Sequence, residues 1–126
     1  MSIVLDASAV LALLYDEPGK DVVMAHALGA HLLSVNLAEV LSRVIDKGSD
    51  PDHVEGILAR LRFEIVPFGR DLAVAAARLR VPTRHIGASL GDRACLALGG
   101  ATGLPILTAD RQWAKLDLGL DIRLIR

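Results

Sequence analysis

The sequence predicts an α/β fold, a central parallel sheet with helices on both faces. Three observations lead there. Short apolar runs such as Ile3-Val4-Leu5 and Ile106-Leu107 show no polar alternation, the pattern of strands buried on both faces. They alternate along the chain with segments of helical periodicity. Gly or Pro stands at many of the junctions, where the chain must turn.

Residues 3–6 read as the first buried strand and residues 7–15 as the helix after it, broken by Glu17-Pro18-Gly19. Residues 20–28 form a second helix closed by Gly29, and residues 31–35 a short strand that His31 opens. Asn36 is expected to cap a helix running to Lys47, with Gly48 as its stop. On that helix Asn36, Glu39, Arg43 and Lys47 make a polar stripe, and Leu37, Val40, Leu41, Val44 and Ile45 an apolar one. Pro51, near a first helical position, opens a helix to about Arg62. Residues 63–68 are a β-rich run. Residues 71–80 are Ala-rich and helical, ended by Val81-Pro82. Ser89 caps a helix over residues 90–101, which Thr102-Gly103 ends. Residues 106–108 form a strand, 111–116 a short helix and 122–125 the last strand.

With 126 residues, the chain has the length of one domain and can bury a real core. It is 52% hydrophobic with a mean hydropathy of +0.44, a surplus that suggests surface covered by a partner. No apolar stretch approaches a membrane span, and residues 9–15 lack the basic flank of a signal peptide. A single cysteine, Cys95, permits no internal disulfide and no zinc cluster. It reads as a small buried helix residue in a reducing, cytoplasmic setting. His26, His31, His53 and His85 show no zinc spacing. No phosphate-binding glycine loop or nucleophile elbow is present. Gly99-Gly100 within a helix suggests tight packing, and Trp113 a core anchor. The net charge of −1 is unevenly spread. Residues 1–59 carry three basic and nine acidic side chains, whereas residues 60–93 carry seven Arg and three acids. Such a basic segment suits a phosphate-bearing ligand and equally suits solvated helix faces.

Asp6 ends the first strand, Asp110 lies two residues past Thr108, and Glu39 and Asp92 lie near the starts of two helices. Strand carboxyl ends and helix starts share one edge of an open α/β sheet, the edge where such folds bind ligands. Each acid singly has an ordinary use. Asp6 and Asp110 can be N-caps, Ser89-x-x-Asp92 a capping box, and Glu39 the partner of Arg43. Jointly they suggest more, because a charge ending a buried strand is costly unless paired or metal-bound. Ser8 and Thr108 add hydroxyls able to orient a carboxylate. One or two Mg²⁺ or Mn²⁺ ions would hold such acids together. Asp6, Asp92 and Asp110 are the expected ligands, with Glu39 a further ligand or a base. Arg93 and Arg111 are candidate phosphate contacts.

The ordered segments Val4-Leu5-Asp6-x-Ser8, Asn36-x-x-Glu39, Ser89-Leu90-Gly91-Asp92-Arg93-Ala94-Cys95-Leu96-Ala97 and Leu107-Thr108-Ala109-Asp110-x-x-Trp113 resemble the PIN-domain ribonucleases. Within that family they are most similar to VapC-type toxins of bacterial type II toxin–antitoxin pairs. The resemblance spans the chain from Val4 to the final strand and implies a single PIN domain over residues 1–126, a three-layer α/β/α sandwich with a central parallel sheet. Asp6, Glu39, Asp92 and Asp110 fall on the family's acidic quartet, and Ser8 and Thr108 on its hydroxyl positions. It also implies a Mg²⁺- or Mn²⁺-dependent endoribonuclease, commonly a homodimer, restrained by a cognate antitoxin. The near-neutral charge departs from the commonest, basic toxins.

Two other functions compete. A receiver-type phosphoacceptor domain also clusters Asp at strand ends, but it needs adjacent acids after the first strand and a late strand-end Lys. Here Ala7-Ser8 follow Asp6, and Lys115 falls in a helix. A non-catalytic PIN-like binding module would use the acids as caps or as a socket for a basic partner.

Overall fold

The computed structural model describes residues 2–126. Five strands, β1 (Val4–Leu5), β2 (His31–Leu33), β3 (Glu64–Val66), β4 (Ile106–Thr108) and β5 (Ile122–Leu124), form one sheet in the order β3-β2-β1-β4-β5. Every pairing is parallel, with Val4 opposite both His31 and Ile106. Six α-helices accompany them: α1 (Ala7–Leu14), α2 (Lys20–His26), α3 (Ser34–Asp46), α4 (Pro51–Arg60), α5 (Arg70–Arg78) and α6 (Leu90–Thr102). Arg84–Ile86 and Arg111–Lys115 form short 3-10 turns, the first of them without a sequence signal.

Side chains along a strand alternate between faces, and here both faces are apolar. Leu5, Leu32 and Leu107 pack in a core with residues of α1, α3 and α4. Val4, Leu33 and Ile106 point into a second core with α5, α6 and Trp113. The result is three layers, a helical layer on each side of the sheet. Cys95 and Trp113 are buried as expected. Gly99 lets α6 lie close on β4, since a methyl there would come within 2.7 Å of Ile106 Cγ1.

The sheet order decides one alternative. Receiver domains wind in the order 2-1-3-4-5. Here the chain moves outward from β1 through β2 to β3, then returns to the far side of β1 for β4 and β5. The receiver reading is therefore set aside. The winding reverses between β1 and β4, and ligand sites of open α/β sheets lie at the strand carboxyl ends beside such a reversal.

One boundary differs with consequence. The helix expected after an Asn36 cap begins three residues earlier, at Ser34, directly from β2. The Ser34 hydroxyl accepts the Phe68 N–H at 3.0 Å, which ties the chain after β3 to the start of α3. Asn36 is therefore inside the helix and completely buried, not on a solvated stripe.

Candidate active site at the sheet edge

Asp6 leaves β1 at the reversal, its N–H bonded to Leu107 O at 3.1 Å. It occupies the N-cap position of α1, yet its side chain makes no capping bond. Oδ2 instead accepts from Ser8 Oγ and from Thr108 Oγ1, each at 2.6 Å. Both hydroxyls are themselves fixed. Ser8 Oγ accepts the Ala109 N–H at 2.9 Å, and Thr108 Oγ1 accepts the Asp110 N–H at 3.0 Å. A carboxylate accepts and does not donate, so both hydroxyl protons turn toward Asp6. The side chain is 5% exposed. Burial raises its pKa above the ordinary carboxylate value, the Asp92 charge adds to this, and the two hydroxyls oppose it.

Asp92 stands in the first turn of α6. Ser89 Oγ accepts the Asp92 N–H at 3.1 Å, and Asp92 Oδ2 accepts the Ser89 N–H at 3.0 Å, a complete capping box. Asp110 Oδ1 accepts the Gln112 N–H at 2.9 Å. For these two acids capping and site placement are compatible, because each cap engages one carboxylate oxygen and orients the other.

Glu39 lies one helical turn beyond Asn36 and accepts from Asn36 Nδ2 at 2.8 Å. The expected ion pair with Arg43 is replaced by this bond. Burial raises the Glu39 pKa, the Asn36 bond opposes it, and the charges of Asp6 and Asp92 add to it. Asp6 thus feels the charge of Asp92, and Glu39 the charges of both. Cys95, a turn beyond Asp92, senses all three, and burial first and these charges second push its thiol well above its usual range. It is a packing residue and not a nucleophile.

Asp110 is joined to the group through Thr108, which bonds both its N–H and the Asp6 carboxylate. It is not among the charges that raise Asp6 and Glu39. Among the described residues, no three His, Cys, Asp or Glu side chains stand ready to share one ion. The donor chemistry nevertheless suits a hard divalent cation, since carboxylate and hydroxyl oxygens make up the set. The ion pairs among the described residues, Lys20–Asp16, His31–Glu64, Arg123–Asp121 and Arg126–Glu17, include none of the four acids.

The two arginines separate. Arg111 is exposed beside Asp110. Arg93 is 8% exposed and donates from Nη1 to Ala76 O, in the last turn of α5, at 3.0 Å, with Nε unpartnered. The Arg93 guanidinium joins α6 to α5 and is buried away from any phosphate, contrary to the expectation from sequence.

Sequence reasoning misses two residues of the site. Asn36 has the sequence signature of a cap and a surface residue. Gly91 draws no notice, although a methyl there would fall within 2.6 Å of Glu39 Oε2. A glycine in the first turn of a helix is disfavoured without a packing reason, and that is its available signal.

Similarity searches agree with this architecture. A toxin–antitoxin complex from Klebsiella pneumoniae contains a chain 16% identical, with 98% of each chain covered and a TM-score of 0.79. VapBC2 from Rickettsia felis, bound to a DNA fragment from its promoter, is similar at 17% identity, 98% coverage of each chain and TM-score 0.75. DNA-bound VapBC from Salmonella typhimurium is similar at 17% identity over 100% of this chain and 99% of that one, with TM-score 0.74. At such identities these structures speak to the fold. No curated protein sequence matches the chain. Residues 3–118 match the PIN domain family, and the chain belongs to it.

Proposed function

We propose that the chain is a metal-dependent endoribonuclease, the toxin of a toxin–antitoxin pair. The observation that carries this reading is the Asp6 carboxylate, buried at the sheet reversal, held by two hydroxyls and raised in pKa by burial and by the charge of Asp92. A buried carboxylate close to other acids is costly in its charged form, and a bound cation relieves that cost.

Asp6, Asp92 and Asp110 would hold Mg²⁺ or Mn²⁺. A divalent ion held there would supply Lewis-acid activation of a water and charge neutralisation at the phosphate. Ser8 and Thr108 keep Asp6 in one orientation. The raised Glu39 carboxyl is suited to accept the water's proton or to complete the ligand set. Arg111, exposed next to Asp110, would contact the RNA backbone.

The toxin role is supported by PIN membership and by the likeness to VapBC complexes. Exposed Leu28, Val81, Ile45, Leu90 and Met24 fit surfaces covered by an antitoxin and by a second copy in a homodimer. We place this single PIN domain, residues 1–126, in the cytoplasm, where its RNA would be. No helix among the described residues is long and apolar enough to cross a membrane.

The test is RNA cleavage in Mn²⁺ by the parent, Asp6→Asn and Asp92→Asn, each checked for folding. The parent is expected to cleave and both variants to be inactive; a folded variant as active as the parent would overturn the assignment. The non-catalytic socket reading draws on the absence, among the described residues, of a preformed three-acid cluster. A calorimetric titration in which the partner-free chain takes up no Mn²⁺ would favour it.

A further inference from the structure

Asn36 is the chain's single asparagine and is 0% exposed. It donates from Nδ2 to Glu39 Oε1 at 2.8 Å and to Gly91 O at 3.1 Å. Both partners accept only, so the amide has one workable orientation, with both N–H groups used. Oδ1 is then buried with no partner. A leucine would fill a similar volume without an orphaned oxygen, so packing alone does not account for an amide here. Across the α3–α6 contact, Gly91 gives the Glu39 carboxylate room that any larger residue would occupy.

We infer that Asn36 is a positioning residue for Glu39, its amide clamping the Glu39 carboxylate against the first turn of α6 beside Asp92. Asn36 touches neither substrate nor ion. It takes one rotamer of an exposed, flexible side chain and makes it the resting one, so that Glu39 is in place before RNA arrives. The consequence for catalysis rests on the ribonuclease reading, whereas the clamp itself does not.

The experiment has two arms on the full chain. Asn36 and Gln112 are the only side-chain amides, so ¹⁵N–¹H spectra of the parent hold two NH₂ pairs. Glu39→Ala is expected to shift the Asn36 pair and leave that of Gln112 in place; an Asn36 pair indifferent to it overturns the inference. In the second arm, Asn36→Leu is expected to melt no lower than the parent. It should weaken Mn²⁺ binding or lower kcat by roughly 10–100-fold, with KM for RNA unchanged. Asn36→Ser, which keeps one donor, should recover part of that loss. Gly91→Ala, which leaves Asn36 in place but crowds Glu39, should reproduce it. A folded Asn36→Leu with parental Mn²⁺ affinity and kcat overturns the inference. A parent that cleaves no RNA overturns the ribonuclease reading, and the spectra still decide whether the clamp exists.

Discussion

Thr108→Val keeps the shape of a completely buried side chain and deletes one hydroxyl. That hydroxyl donates to Asp6 Oδ2 at 2.6 Å and accepts the Asp110 N–H at 3.0 Å. A hydrogen bond to a charged group contributes about 1.5–3 kcal/mol. The bond to the Asp6 carboxylate is the charge-assisted one, so it sets the lower bound of the loss. For a chain of this length that loss lowers Tm by about 5–15 °C. The penalty should depend on pH in a fixed sense. The Thr108 bond favours ionised Asp6, so its loss is felt most at pH 8 and shrinks as Asp6 becomes protonated. In an Asp6→Asn background the same substitution should cost roughly half as much, because the acceptor is then neutral. Thr108→Ser, which keeps the hydroxyl and loses a methyl, should cost about 1 kcal/mol. The assay is chemical denaturation at pH 8 and pH 5 of the parent, the two Thr108 variants, Asp6→Asn and the double variant. A Thr108→Val variant within about 0.5 kcal/mol of the parent at pH 8 would refute the reasoning, as would equal penalties with and without the Asp6→Asn substitution.

Three further outcomes are expected. Burial raises both Asp6 and Glu39, so their contribution to stability is complete below the unfolded carboxyl values of about 3.9–4.3 and is lost as pH rises through their folded values. Asp6→Asn should therefore be more stable than the parent at pH 8, with the gap closing near pH 4, as denaturation at each pH would show. Gly99→Ala should destabilise by about 1–3 kcal/mol through collision with Ile106, while Gly100→Ala, at an exposed site, should stabilise by roughly 0.5–1 kcal/mol. Thermal melts of the two distinguish packing from helix propensity. Asp110→Ala should lose about 0.5–2 kcal/mol from its cap and also lose RNA cleavage, whereas Asp110→Ser should regain the stability but not the activity.

The sheet, its parallel sense and its two apolar faces were legible because buried strands leave uninterrupted runs such as Ile3-Val4-Leu5. Asp6 stood out for the same reason, as a charge closing such a run. What escaped the sequence depends on contacts between distant segments. Nothing local says that Ser34 answers Phe68, or that α3 starts at Ser34 and so holds a buried Asn36 within it. Nothing near Arg93 says that Ala76 O waits across the α5–α6 contact. The cap readings of Asp92 and Asp110 described real hydrogen bonds, and they were incomplete because each carboxylate has a second oxygen. For Asp6 the capping position was right, but its side chain turned to two hydroxyls instead.

The most direct test of the central claim is anomalous diffraction from crystals of the parent soaked in Mn²⁺. The account predicts an anomalous peak at the sheet reversal, coordinated by Asp6 and Asp92, with the unengaged oxygen of Asp110 or the carboxylate of Glu39 completing the protein ligands. An empty acidic edge in crystals that hold Mn²⁺ elsewhere, or a peak coordinated by none of these acids, would contradict it.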